Sequence, residues 1–142
     1  MSNARNLVIC LAGLVVVGCA LAASAPQEST AASAVQVIEI NADKYAFSPA
    51  EIHVKEGAKV QLKLHSIDKE HGLKIGIFPE GAKKNGSPGL RFEGKNDTGK
   101  VRKGSDGMIE FMAVQHGTYR FECSIFCGLG HGRMKGKLVV DD

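Results

Sequence analysis

From residue 35 onward, hydrophobic and polar positions alternate in short runs. Lys59 to Ser66 sets Val60, Leu62 and Leu64 on one face and Gln61, Lys63 and His65 on the other. That is the pattern of a half-solvated antiparallel strand, with His65 toward water. Val35 to Ile40 alternates in the same way, as does Thr118 to Cys123 through Tyr119, Phe121 and Cys123. Phe47 to Val54 reads as one edge-like strand, because Pro49 near its start cannot donate to a ladder. Leu73 to Ile77, Met108 to Val114 and Lys135 to Val140 complete the set, with Met108 and Met112 expected in the core beside Ile109 and Phe111.

About seven short strands separated by turn residues such as Gly57 predict an all-β fold, a two-sheet Greek-key sandwich. The connection from Phe78 to Gly107 is dense in Gly, Lys, Asn, Ser and Pro and is long for a hairpin, so it reads as a functional or mobile loop. The segment between the last two strands would sit at one end of the sandwich.

The start of the chain breaks this pattern. One cation, Arg5, precedes an apolar run from Leu7 to Ala23. A spanning helix needs about 20 such residues, so residues 1–25 read as a secretory signal. Within it, Val16-Val17-Gly18-Cys19 resembles a bacterial lipobox, which would lipidate Cys19 and leave it as the mature N-terminus. Cleavage at Ala23-Ser24-Ala25 and retention as an anchor are the competing readings, and all three export the domain to the periplasmic side of the cytoplasmic membrane. Residues 26–34, rich in Ala, Ser and Thr, read as a flexible tether, and residues 35–142 as one domain.

Composition agrees with short strands: 44% of residues are hydrophobic, Gly reaches 17 and Trp is absent. The formal charge of +3 is spread along the chain with mixed sign, which gives no footprint for nucleic acid. Lys83, Lys84, Arg91, Lys95, Lys100, Arg102 and Lys103 make the long connection basic; a solvated loop is the expected reading. His53, His65 and His116 are expected at the surface.

The chemistry is concentrated in Cys123-Ser124-Ile125-Phe126-Cys127-Gly128-Leu129-Gly130-His131-Gly132-Arg133-Met134. Two thiols, an imidazole and a thioether in so short a span are not what a core requires. Soft sulfur donors stabilise Cu(I) while imidazole accepts both oxidation states, so the set suits copper that changes valence. Glycines 128, 130 and 132 let the backbone close tightly around a metal. Cys127, His131 and Met134 could supply most of a mononuclear site; Cys123 adds a second thiolate able to bridge two ions. A Cys123–Cys127 disulfide would close too small a ring to restrain much chain entropy, and structural zinc sites do not add a methionine. A thiol oxidoreductase would favour Cys-x-x-Cys at a helix N-terminus.

The loop resembles the copper A (CuA) motif of cytochrome c oxidase subunit II and nitrous oxide reductase, Cys-Ser-x-x-Cys-Gly-x-x-His-x-x-Met, at every fixed position. Upstream, Asp68-Lys69-Glu70-His71-Gly72 resembles the family's Asp-x-x-His-Gly segment. The likeness runs from about Tyr45 to Val140, and Gly136, Val139 and Val140 match the ending of oxidase subunits with a single membrane anchor. It implies a cupredoxin-like sandwich with two copper ions. Cys123 and Cys127 would bridge them, His71 and His131 would terminate them, and Met134 and the carbonyl of Ile125 would be axial, with Asp68 behind His71.

By the same resemblance the protein is a one-electron carrier without a general base or nucleophile, and not catalytic alone. Its expected donor is cytochrome c or a small copper protein, and its acceptor a terminal oxidase or reductase. The missing spanning helix and the missing Trp-rich segment favour a tethered carrier over the electron-entry subunit of a haem-copper oxidase. Capture or delivery of Cu(I) at the membrane surface is the alternative of another class.

Overall fold

The computed structural model describes residues 35–142. The signal segment over 1–25 with its Cys19 site, and the tether over 26–34, lie outside the described residues. Among the described residues, no helix is long and apolar enough to cross a membrane.

The fold is all-β, as the alternation predicts. Strands β1 (Gln36–Asp43), β2 (Ala46–Ser48), β4 (Lys59–Ser66), β6 (Leu90–Phe92) and β7 (Asp106–Ala113) form one sheet in the order β2-β1-β4-β7-β6. Strands β3 (Glu51–Lys55), β5 (Lys74–Ile75), β8 (Gly117–Glu122) and β9 (Lys135–Asp141) form the other in the order β3-β9-β8-β5. Each sheet contains one parallel pair: β1 runs with β4, Ile40 opposite Leu64, and β3 runs with β9, Ile52 opposite Leu138. The remaining pairs are antiparallel.

Period-two burial builds the core. Val60, Leu62 and Leu64 of β4 face Ile109, Phe111 and Ala113 of β7 along one inner surface, and Tyr119, Phe121, Leu138 and Val140 supply the other. Phe47 meets Phe121 edge to face at 5.4 Å between centroids, stitching the two sheets. Each such side chain contributes about 1.5–3 kcal/mol by leaving water. The buried Tyr119 hydroxyl keeps a partner by donating to the Gln115 carbonyl at 2.8 Å.

Three expectations change. The single strand over Phe47 to Val54 is two strands: the chain leaves the first sheet after Ser48, passes Pro49 and Ala50, and enters the second at Glu51. Met108 is exposed and Met112 half-buried, because strand parity places them with Glu110 on the outer face, opposite Ile109 and Phe111. The long connection carries a short strand of its own, β6, which pairs with β7. Its cations are exposed, in keeping with a solvated loop.

Candidate metal centre

The parity of β8 that buries Tyr119 and Phe121 carries on to Cys123, so the first thiol enters the sandwich as the strand ends. The chain then leaves the sheet, makes one 3-10 turn over His131–Arg133 and returns into β9. The Cys123 N–H donates to the Met134 carbonyl at 3.1 Å and closes this loop at its base. Inside it, the N–H of His131 donates to the Gly128 carbonyl and that of Met134 to the His131 carbonyl, both at 3.0 Å.

Glycine is required at two places in this loop. Gly128 adopts φ +130, and a Cβ there would lie 2.4 Å from the Tyr45 hydroxyl oxygen; a Cβ at Gly130 would lie 2.2 Å from the Tyr45 ring. Tyr45 thus packs closely against the loop backbone at both glycines.

His71 arrives from the other side. After β4 the Ser66 hydroxyl donates to the Lys69 carbonyl, and His71 exchanges both backbone hydrogen bonds with Val101, at 3.0 and 2.8 Å. The ring is fully buried. Its Nε2 lies 2.7 Å from the Asp68 carboxylate, while Nδ1 is the one buried side-chain nitrogen or oxygen among the described residues that has no hydrogen-bond partner. Burial alone would raise the Asp68 carboxyl, but the His71 ring and the backbone N–H groups of Lys44 and Asp68 outweigh it and hold it below the usual carboxylate range. An ionised carboxylate only accepts, so Nε2–H donates to Asp68, and Nδ1 is the nitrogen left without a protein partner.

The structure brings all six predicted donors together. A ring nitrogen of His71 and the sulfurs of Cys123 and Cys127 lie within 4.8 Å of one another, all buried. The two sulfurs are free thiols 3.7 Å apart. Cys123 Sγ is 3.2 Å from the Ile125 carbonyl oxygen, and Cys127 Sγ is 3.8 Å from His131 Nδ1 and 3.8 Å from Met134 Sδ. Met134 is fully buried, and His131 is half-buried against Phe126, ring centroids 6.0 Å apart.

Burial, reinforced by contact with Cys123, pushes the Cys127 thiol up to about 11, against which the Lys69 charge works in the opposite direction. Without a cation the Cys127 sulfur therefore stays protonated near neutral pH, and a metal must displace that proton. A soft donor set with an imidazole nitrogen left unsatisfied in the interior fits a thiophilic metal, since such an orphan otherwise costs about 1–3 kcal/mol. Residues 71, 123, 125, 127, 131 and 134 fit copper on this ground.

Some supporting contacts were not foreseen from the sequence. Lys69 Nζ donates to the Cys127 carbonyl at 3.0 Å and stands 5.1 Å from the Tyr45 ring centroid. The Ser124 hydroxyl donates to Asp97 at 2.8 Å and fills the space that a Cβ at Gly72 would need. The one signal available was the pair Lys44-Tyr45, a turn between two alternating runs; both residues adopt positive φ, 33 and 72. His53, His65 and His116 lie at the surface, as expected, each paired with carboxylates.

The family profile described as "Cupredoxin-like domain" matches residues 12–140. Two curated proteins, both cytochrome c oxidase subunit 2 of Thermus thermophilus, are 29% identical over 98 residues, which is 69% of this chain. The chain spans only 60% of one relative and 48% of the other. A solved heme-copper terminal oxidase dimer is similar at 25% identity and TM-score 0.53, over 75% of this chain and 65% of that one. Auracyanin A, a "blue" copper protein of Chloroflexus aurantiacus, matches at 19% identity and TM-score 0.57, over 75% of this chain and 99% of its own, a likeness of fold.

Proposed function

The chain belongs to the cupredoxin-like domain family, and on that premise we propose that it transfers single electrons through a binuclear CuA centre. The observation that carries this reading is the meeting of two thiol sulfurs, 3.7 Å apart, with a thioether, two imidazoles and a carbonyl oxygen around the unpartnered Nδ1 of His71. Cys123, Cys127, His71 and His131 would hold the copper, with Met134 and the Ile125 carbonyl completing the donor set. When bound, a copper pair supplies a one-electron couple whose charge is shared by two ions.

The chain's own residues make that couple fast by staying still. Asp68 fixes the His71 ring, the Met134 carbonyl anchors Cys123, and Tyr45 backs the glycines of the loop. Donors fixed by packing on both sides change position little when charge arrives. His131, half-buried beside the exposed Phe126, is an edge of the site that reaches toward water. With the fully exposed Leu129 it forms the surface where a partner docks.

The donor in this reading is cytochrome c or a small copper protein, and the acceptor a terminal oxidase or reductase. The domain works on the periplasmic side of the cytoplasmic membrane, tethered through a lipid on Cys19. Capture and delivery of Cu(I) is the less favoured use, because Cys123, Cys127 and Met134 are buried where an exchanging metal needs access.

The test loads the purified protein with copper and records visible and electron paramagnetic resonance spectra, with Cys123→Ser beside it. A purple species whose unpaired electron couples equally to two copper nuclei, lost in the variant, is expected. A colourless Cu(I) complex that exchanges freely would replace the carrier by a delivery protein.

A further inference from the structure

The His71 segment and the 123–134 loop come from different places in the chain, and the donor set is complete only where they meet. The ammonium of Lys69 lies at that junction. It sits two residues before His71 and donates to the carbonyl of Cys127 at 3.0 Å, a hydrogen bond that runs directly from one segment to the other. Its own segment is braced: the Ser66 hydroxyl binds the Lys69 carbonyl, and Asp68 and His71 are bonded to each other. On the other side it lies 5.1 Å from the centroid of the Tyr45 ring, which backs Gly128 and Gly130. Tyr45, the loop and the turn before His71 therefore share one half-buried cation, and among the described residues no carboxylate lies within ion-pair distance of it.

We propose that Lys69 is a positioning residue for this site. It fastens the Cys127 end of the loop to the His71 segment, and it sets its ammonium charge against the Cys127 backbone at the edge of the donor set. The second part rests on the copper electron-transfer reading; the first does not. A fixed cation near the site stabilises the state with one more electron, so it biases a bound centre toward reduction. A half-buried position preserves that influence better than an exposed one, because water and salt screen it less.

Lys69→Met keeps the aliphatic stem and removes charge and donor together. Lys69→Gln keeps a neutral donor on a shorter stem, and Lys69→Arg keeps both charge and donor. In the metal-free protein, amide hydrogen exchange at residues 127–134 is expected to speed up about tenfold in Lys69→Met and to stay near wild type in Lys69→Arg. In the copper-loaded protein, a spectroelectrochemical titration should show the ratio of reduced to oxidised protein at fixed applied potential falling roughly three- to thirtyfold in Lys69→Met and Lys69→Gln. That deficit should shrink as salt is added, and Lys69→Arg should restore the wild-type ratio. Unchanged exchange in Lys69→Met would overturn the fastening, and an unchanged ratio in both neutral variants would overturn the charge effect. A wild-type protein with no reversible one-electron couple would remove the CuA reading instead, while the exchange comparison would still decide the fastening.

Discussion

His71 Nε2 lies 2.7 Å from Asp68 Oδ1, and that one hydrogen bond decides which face of the buried imidazole is left for a metal. Asp68→Asn keeps the size of the side chain but offers an amide in place of an obligate acceptor. The ring is then free to take the other tautomer or to turn. Loss of such an orienting carboxylate typically weakens metal binding 10–100-fold. A competition titration of copper against a chelator of known affinity measures it, and an affinity equal to wild type would show that packing alone aims the ring.

The raised Cys127 thiol sets a pH dependence in the metal-free protein. Its folded value of about 11 lies above the unfolded 9.0, so the thiol contributes stability below pH 9 that is lost as pH climbs through 11. Chemical denaturation between pH 8 and 11 should show that decline, and Cys127→Ala should flatten it. Alkylation of the native metal-free protein should stay slow at pH 8 and accelerate toward 11, whereas the unfolded chain reacts readily near 9.

A second window lies on the surface, at His53. Hydrogen bonds to Asp141 and then Glu51 raise its value above 6.5. A raised histidine adds stability that is complete below 6.5 and lost as pH rises through the folded value. His53→Gln should therefore lower the melting temperature at pH 5.5 and leave it unchanged at pH 9. An equal loss at both would assign the effect to packing.

Gly130 and Tyr45 are coupled by contact. Gly130→Ala drives a Cβ to 2.2 Å from the Tyr45 ring and should destabilise the metal-free protein by about 1–3 kcal/mol. If the clash is the cause, adding Tyr45→Ala should return part of that loss as a positive coupling in a double-mutant cycle. Additive losses, measured by urea unfolding, would place the strain in the backbone of the 3-10 turn instead.

The sandwich was legible in the sequence because period-two burial leaves its mark residue by residue: Val60, Leu62 and Leu64 point inward as their spacing requires. Met108 and Met112 misled because their neighbours are apolar; strand parity outweighs the company a residue keeps. The split at Pro49 was hidden because a continuous alternation does not record a change of sheet. The candidate donors stood out because their spacing is written in one loop. What supports them did not, since Lys69 reaches Cys127 and Tyr45 reaches Gly130 only through tertiary packing, and a lysine or tyrosine in a turn has many ordinary uses.

Phe126 and Leu129 are 79% and 101% exposed, although both belong to the loop that carries the sulfurs. A leucine that touches nothing adds little to folding, so Leu129→Ser should change stability by no more than about 0.5 kcal/mol. On the proposed docking at this surface, the same side chains would leave water in a complex, which is worth about 1.5–3 kcal/mol each. Phe126→Ser with Leu129→Ser should therefore weaken the encounter with reduced cytochrome c by roughly tenfold or more, with the visible spectrum of the copper-loaded protein unchanged. Stopped-flow reduction over a range of cytochrome concentrations separates the two effects: a weaker encounter raises the concentration needed for half-saturation, whereas a disturbed centre lowers the limiting rate. If neither moves, electrons enter by a different face, and these two side chains serve another partner.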